Sequence, residues 1–315
     1  MKKQTFTNDS FSLALSFLLF GEFCGLTLDL FAKHLLETYP LSQFIFIRSV
    51  FALIIFSFIA PWYGGFESIK TKQWQWHFLR AVLSIIAMYG FFYGITKMPL
   101  VNTLTLVFIA PLIVTALSPT LLKEKVGWRR WIAVILGFIG VLIILRPGNG
   151  TFSLASLSVV ASAFAYALLA ITARKLASTE STIAMSVYVL VGPLIASLFF
   201  LSNNYNPPTK SAWIIFFLAG VASVGVWLGY ISAYKKSSPL VLAPFEYVAL
   251  IGAAIAGYLI WDEIPDRYVV LGAFIIICSG IFVAYREMDK TSSTRYLRGF
   301  RTAGINLLRK KFLKK

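Results

Sequence analysis

Charged residues are scarce in this sequence of 315 residues, since Asp, Glu, Lys and Arg together make up 13% of it. Soluble proteins carry about 25% charged residues, and disordered chains carry more, so both classes are excluded. Hydrophobic residues make up 58% of the chain and aromatic residues 16%. This composition predicts a protein that lies in a lipid bilayer.

Cysteine and histidine are also rare, and no pattern that holds a metal or a cofactor occurs. Cys24 and Cys278 both lie in apolar runs, without a CxxC or Cys/His spacing. His34 and His77 lie at the ends of apolar runs, and neither has a carboxylate or a histidine at ligand spacing. The HExxH, GxSxG and P-loop motifs are missing as well. We therefore predict no metal, no cofactor and no enzymatic activity.

Ten apolar runs approach or reach the length of about 20 residues that a helical membrane span needs. They lie at residues 11–32, 44–63, 75–96, 100–121, 131–145, 154–173, 183–202, 212–233, 239–260 and 268–285. The first run continues through residues 21–24 without a small-x-small cleavage site, so we interpret it as a span and not as a signal peptide.

Lysine and arginine outnumber Asp and Glu by 29 to 13, and their positions orient the predicted spans. If the N-terminus is cytoplasmic, most basic residues fall in cytoplasmic segments, as the positive-inside rule requires. The net charge of +16 is therefore interpreted as a topology signal and not as a nucleic-acid-binding surface. We expect both termini to be cytoplasmic.

The two halves of the chain repeat each other at a shift of 139 to 141 residues. The sequence FSLA at residues 11–14 recurs at 152–155, and PLV at 99–101 recurs at 239–241. Each half contains five runs, and because five is odd, the second half begins on the opposite side of the membrane. The sequence thus predicts an all-α polytopic membrane protein with ten transmembrane helices in two inverted five-helix repeats.

We divide the chain into four parts on this basis. A cytoplasmic N-terminus at residues 1–10 precedes the first five-helix repeat at 11–148 and the second at 149–288. The tail at residues 289–315 is basic and amphipathic, which predicts binding to anionic lipid at the inner leaflet and not to nucleic acid.

Two segments resemble a known family. Residues 79–148, from LRAVLSIIAMYG to LIILRPG, resemble the first-half signature of the EamA family in the drug/metabolite transporter superfamily. Residues 243–266, APFEYVALIGAAIAGYLIWDEIPD, are similar to the subgroup of bacterial carriers that includes S-adenosylmethionine uptake transporters. The resemblance implies ten helices around a central cavity, alternating access and a bacterial inner-membrane location. Riboflavin carriers and amino-acid exporters resemble the same pattern.

Three charged residues share one face of the first predicted span. Glu22, Asp29 and Lys33 are spaced seven and four residues apart, which places them within about 40° around a helix. A charge at the bilayer centre costs about 2.5 to 3.5 kcal/mol, so it usually faces a cavity or a partner. We expect Glu22 and Asp29 to contact a cationic substrate group or to carry a coupling proton. The structural alternative is an ion pair between Asp29 and Lys33.

Arg48 lies inside the second predicted span. It either contacts the substrate or neutralises Asp29, because the first two spans are consecutive and antiparallel. Under the repeat shifts, Glu22, Asp29, Arg48 and Glu246 all fall opposite apolar residues. Charges present in one half alone favour asymmetric chemistry such as substrate recognition.

Glu246 lies in the sequence PFEY of the ninth predicted span. Pro244 removes a backbone donor there and frees a carbonyl in the preceding turn. An interrupted turn beside an acid favours a binding or gating site that includes Tyr247. A pairing of Glu246 with Lys235 or Arg80 is the alternative.

An aromatic stripe completes the candidate site. Trp227, Tyr230 and Tyr234 follow helical spacing, and Tyr89 and Tyr93 on the repeat-related span could face them. The stripe indicates either interior packing or a stacking wall for a flat or cationic ligand.

These features together predict a metabolite transporter that works by alternating access. The acids and the aromatic stripe favour uptake of a cationic or zwitterionic small molecule with a flat ring, such as S-adenosylmethionine. Export of amino acids or related metabolites is the alternative, and a lipid flippase is less favoured. Pro111, in the fourth span, is expected to kink its helix and to act with Pro244 in gating.

Overall fold

The structure is a computed structural model that describes residues 8–63, 65–121, 126–146, 153–201, 205–237, 239–283 and 285–286. Within these ranges the regular structure is entirely helical. The helices of the first half are α1 (Asn8–Leu36), α2 (Leu41–Ile59), α3 (Trp74–Lys97), α4 (Leu100–Val107), α5 (Ala110–Leu121) and α6 (Trp128–Leu145). Those of the second half are α7 (Leu154–Leu176), α8 (Thr182–Leu201), α9 (Lys210–Lys236), α10 (Pro239–Glu246), α11 (Val248–Trp261) and α12 (Arg267–Val283).

Eight helical segments of the described chain are long and apolar enough to cross a membrane. They are α1, α2, α3, α4 with α5, α6, α7, α8 and α9. Helices α11 and α12 are apolar but shorter. The prediction of an all-α, multi-pass membrane protein is therefore confirmed, while the count of ten spans stays a prediction. The predicted lipid-binding tail lies outside the described residues.

Two of the predicted spans are interrupted at their centres. Helix α4 ends at Val107 and α5 begins at Ala110, with Pro111 in the first turn of α5, where a missing backbone N–H is tolerated. The second break lies at Tyr247, between α10 and α11. Phe108 and Tyr247 are 139 residues apart, and their rings pack edge to face with centroids 5.3 Å apart. The two breaks therefore meet inside the protein.

Helices of the first half pack along helices of the second. Helix α1 lies along α9, and α3 lies along α7. At the first crossing, a Cβ at Gly229 would lie 2.7 Å from the Cα of Gly21, so the backbones touch through these two glycines. The close crossing brings the next residue on each helix, Glu22 and Tyr230, within hydrogen-bonding distance.

Candidate functional site

A cavity of about 190 Å³ lies between the two halves of the chain. It is larger than the ~150 Å³ cavity that holds benzene in an engineered protein, so it has room for a flat ring. Helices α1 to α5 line it from the first half, and α7, α9, α10 and α11 line it from the second. Its charged lining residues are Glu22, Asp29, Arg48, Arg80 and Glu246.

The structure brings most of the predicted site residues to this cavity. Besides the four charged residues named from the sequence, Trp227, Tyr230 and Pro111 line it. Tyr89, Tyr93 and Tyr247 do not. Tyr89 instead packs against Phe200, and the side chain of Pro244 lies outside the described part of the structure. That any of these residues binds substrate stays a prediction.

Each of two carboxylates in the cavity accepts a hydrogen bond from a tyrosine of α9. The hydroxyl of Tyr230 donates to Oε1 of Glu22 over 2.7 Å, and that of Tyr234 donates to Oε1 of Glu246 over 3.1 Å. The two tyrosine rings stack with centroids 5.8 Å apart. One stripe of α9 therefore holds an acid from α1 beside an acid from α10, and we call these four residues the acid–tyrosine cluster.

Among the described residues, no Lys, Arg or His nitrogen lies within 4 Å of Glu22 or Glu246. The predicted alternative partners of Glu246 are engaged elsewhere. Lys235 donates to the backbone carbonyl of Glu180 over 2.8 Å. Arg80 donates to the carbonyl of Leu169 and to the hydroxyl of Thr172, each over 2.9 Å. Among the described residues, these two acids thus have no cation within 4 Å, which normally makes burial of a carboxylate costly.

Arg48 is a buried cation of the same cavity, with 1% of its surface exposed. Its Nη1 donates to the hydroxyl of Ser223 over 2.9 Å. The rings of Phe44 and Phe92 lie together on one side of its guanidinium, with centroids 5.8 and 5.4 Å from Cζ. In the described part of the chain, no carboxylate oxygen lies within 4 Å of it. Arg48 and Asp29 therefore do not form the direct ion pair that was one interpretation of the sequence.

Lys33 pairs with Glu263, and not with Asp29 as the structural alternative proposed. The second carboxylate oxygen of Glu263 accepts the backbone N–H of Leu100, at the start of α4, over 2.9 Å. Lys33 also lies over the ring of Trp261, 4.9 Å from its centroid. We call this the Glu263 end of the bundle. It ties α1 and α4 to the segment after α11, and none of Lys33, Trp261 and Glu263 lines the cavity.

A second buried pair lies at the opposite end, and the sequence did not indicate it. Nε2 of His77 lies 3.0 Å from Oε2 of Glu180, and these residues are 2% and 7% exposed. They are 103 positions apart, so local spacing cannot reveal the pair. We call this the Glu180 end. The cavity lining reaches toward it, because Ala173, Tyr234 and Pro239 belong to the last turns of α7 and α9 and the first residue of α10.

One carboxyl group outside the spans has a perturbed pKa. Asp266 precedes α12, and its side chain accepts the backbone N–H groups of Tyr268 and Val269, each over 2.9 Å. It also pairs with Arg146, which ends α6. Partial burial alone would raise the pKa of Asp266, but the hydrogen bonds from Val269, Arg146 and Tyr268 lower it below its ordinary value.

A multi-pass helical bundle with a charged, aromatic-lined cavity between two halves is typical of a membrane transporter. The chain belongs to the EamA-like transporter family, which matches residues 11–146 and 153–285. The resemblance noted in the sequence is therefore confirmed at the level of the family.

Three relatives and one solved structure illustrate the likeness. The S-adenosylmethionine uptake transporter of Rickettsia felis is 30% identical over 84% of this chain and 90% of its own. That of Rickettsia prowazekii is 28% identical with the same coverage. A riboflavin transporter of Vibrio cholerae is 32% identical over 73% of this chain and 78% of its own. A crystal structure with 15% identity covers 87% of this chain and 97% of its own at a TM-score of 0.64, which supports the fold alone.

Proposed function

We propose that this transporter takes up a cationic or zwitterionic metabolite with a flat ring, such as S-adenosylmethionine. The observation that carries the proposal is the acid–tyrosine cluster: two carboxylates line one cavity with no cation within 4 Å among the described residues. A bound cation would relieve the cost of burying them. The Rickettsia relatives support the choice of substrate.

The aromatic lining suits the rest of such a substrate. Trp227 and Tyr230 border the cavity beside the acids, and aromatic faces stack on flat rings and attract cations. Riboflavin, named for the Vibrio relative, would fill the same aromatic space. It carries no positive charge, so it would leave both carboxylates unpaired. The acids therefore favour a cationic substrate, and no observation favours amino-acid export or lipid flipping.

We further propose ten spans in two inverted repeats, at residues 11–148 and 149–288. Helices α10 and α11 together form the ninth span, and α12 forms the tenth. The cross-half packing of α1 with α9 and of α3 with α7 supports this arrangement. So do the two helix breaks, which fall 139 residues apart at Phe108 and Tyr247.

In alternating access, one end of the bundle is closed while the other end is open. Lys33, Glu263 and Leu100 join the halves at the Glu263 end, and His77 and Glu180 join them at the Glu180 end. The cavity lining extends toward the Glu180 end, to the last turns of α7 and α9. With both termini in the cytoplasm of a bacterial cell, the Glu263 end is periplasmic, and this conformation faces inward. A reporter fused after Lys315 should read cytoplasmic, and one inserted at residues 202–204 should read periplasmic.

Uptake into proteoliposomes tests the proposed substrate. Purified protein should accumulate labelled S-adenosylmethionine above empty liposomes, and excess unlabelled S-adenosylmethionine should compete while riboflavin should not. Glu67→Gln should take up S-adenosylmethionine like the wild-type protein, because Glu67 is exposed, pairs with Lys70 and does not line the cavity. It is therefore the matched control for Glu→Gln variants in the cavity. Uptake of riboflavin without uptake of S-adenosylmethionine would contradict the proposal.

A further inference from the structure

In the described part of the structure, the guanidinium of Arg48 presents one edge that has no oxygen acceptor. Nη1 is held by Ser223, but Nη2 contacts only the thioether sulfur of Met88, at 3.0 Å. Nε is buried and has no hydrogen-bond partner among the described residues. Nε and Nη2 form the side-on fork of a guanidinium, the edge that binds a carboxylate through two parallel hydrogen bonds. A methionine sulfur is a weak acceptor on a flexible side chain, so an incoming oxygen could displace it.

The surroundings restrict this guanidinium before any ligand arrives. The rings of Phe44 and Phe92 lie together on one side of it, and these two rings pack edge to face with centroids 5.1 Å apart. The bond from Nη1 to the hydroxyl of Ser223 holds the opposite, terminal part of the group to α9. A cation held in one orientation loses little freedom on binding, which favours affinity.

Asp29 lies at the same depth as Arg48 without bonding to it. Asp29 is seven residues before the end of α1, and Arg48 is seven residues after the start of α2. Both are therefore about 10 Å along their helices from the Glu263 end. Both line the cavity and are buried, at 8% and 1% exposure. Opposite charges that share a cavity but stay more than 4 Å apart leave both groups open to a ligand.

We infer that Arg48 and Asp29 form a site for an amino-acid head group, in which Arg48 binds the carboxylate through Nε and Nη2 and Asp29 binds the ammonium. The inference rests on the proposed function and narrows it. The substrate class becomes an α-amino acid derivative whose second positive charge lies at the acid–tyrosine cluster. A flat metabolite without a carboxylate would leave the Arg48 fork unused.

Binding of two probes that differ in one group tests this site. The probes are S-adenosylmethionine and decarboxylated S-adenosylmethionine, which keeps the amine, the sulfonium and the ring but lacks the carboxylate. Their dissociation constants are measured on the full chain in lipid nanodiscs. A charge-assisted contact predicts that the wild-type protein binds the decarboxylated compound about 10- to 150-fold more weakly.

Three variants separate the roles of the charged residues. Arg48→Lys keeps the charge but lacks the fork, so it should weaken S-adenosylmethionine binding and leave the decarboxylated compound bound as in wild type. The affinity ratio should then fall toward one. Asp29→Asn should weaken both compounds by the same factor, because both keep the amine. Arg80 is another arginine that lines the cavity. Arg80→Lys should leave the ratio of the two dissociation constants unchanged.

The outcomes distinguish a failure of the head-group site from a failure of the proposed function. Retained binding of the decarboxylated compound by Arg48→Lys shows that the variant folds. Equal wild-type affinity for the two compounds would overturn the head-group site and leave the proposed function standing. Binding of neither compound would overturn both. A ratio that collapses in Arg80→Lys instead of Arg48→Lys would place the carboxylate elsewhere, and a ratio altered by Asp29→Asn would show that Asp29 acts through Arg48.

Discussion

Replacing Glu22 by glutamine isolates the charge of one acid in the acid–tyrosine cluster. Glutamine has nearly the same volume, and its amide oxygen can still accept the hydroxyl of Tyr230, now 2.7 Å from Oε1. Glu22 is 6% exposed, so the neutral side chain is also cheaper to bury. We therefore expect Glu22→Gln to fold normally and to lose the negative charge alone.

The size of the effect follows from the contact that is lost. A hydrogen bond to a charged group contributes about 1.5 to 3 kcal/mol, which corresponds to a roughly 10- to 150-fold loss of apparent affinity. If Glu22 binds the positive charge of the substrate, both substrate exchange and gradient-driven uptake should fall by this factor at subsaturating substrate. If Glu22 instead carries a coupling proton, exchange should persist while accumulation driven by a pH gradient is lost.

Proteoliposomes loaded with S-adenosylmethionine distinguish the two roles. Exchange is measured at equal pH on both sides, and accumulation is measured after an imposed pH gradient. Glu67→Gln serves as the control for a carboxylate outside the cavity. Wild-type rates in both assays would refute the reasoning, since Glu22 would then neither bind the cation nor move the proton.

Three further predictions concern the ends and the packing of the bundle. Glu263→Gln removes the charge partner of Lys33, so a cysteine placed at Leu104 in the cavity should react faster with an impermeant maleimide added on the side of the Glu263 end. Unchanged labelling would show that the pair does not close that end. Gly229→Ala forces a Cβ to 2.7 Å from backbone atoms of α1, which should cost about 1 to 3 kcal/mol and lower the melting temperature. Gly25→Ala, whose Cβ would meet its nearest atom at 3.9 Å, should not, and equal effects would contradict the proposed crossing. Asp266 has a lowered pKa, so its contribution to stability is present at neutral pH and is lost as the pH falls below about 4. The difference in melting temperature between wild type and Asp266→Asn should therefore shrink on acidification, and a constant difference would show that the charge of Asp266 contributes nothing.

The sequence located the charged residues of the site better than it located their partners. Glu22, Asp29, Arg48 and Glu246 could be selected because charges inside apolar runs must face a cavity or another charge. Helical periodicity tells which residues share a face, but it does not tell which neighbouring helix that face meets. Tyr89 was expected to face the aromatic stripe, and it lies instead against Phe200 of α8.

Pairs between distant segments were the least predictable part. His77 and Glu180 come together across 103 positions, and Lys33 meets Glu263 across 230. The sequence offered Asp29 as the partner of Lys33, because an i,i+4 pair is the local choice. Tertiary packing overrode that choice, since the segment after α11 brings Glu263 to α1. The exchange leaves Asp29 without an ion pair among the described residues, which makes it available in the cavity.

The contact between Phe108 and Tyr247 has a consequence for how the halves could move. Under the proposed inverted symmetry these two residues are equivalent to within one position, and near-equivalent groups that touch must lie close to the symmetry axis. Groups near the axis move least when the two repeats exchange conformations. This aromatic pair should therefore stay nearly fixed while the Glu263 end and the Glu180 end open and close in opposite senses. A cross-link between positions 108 and 247 should then leave both conformations accessible, whereas one between positions 33 and 263 should trap the protein with its Glu263 end closed.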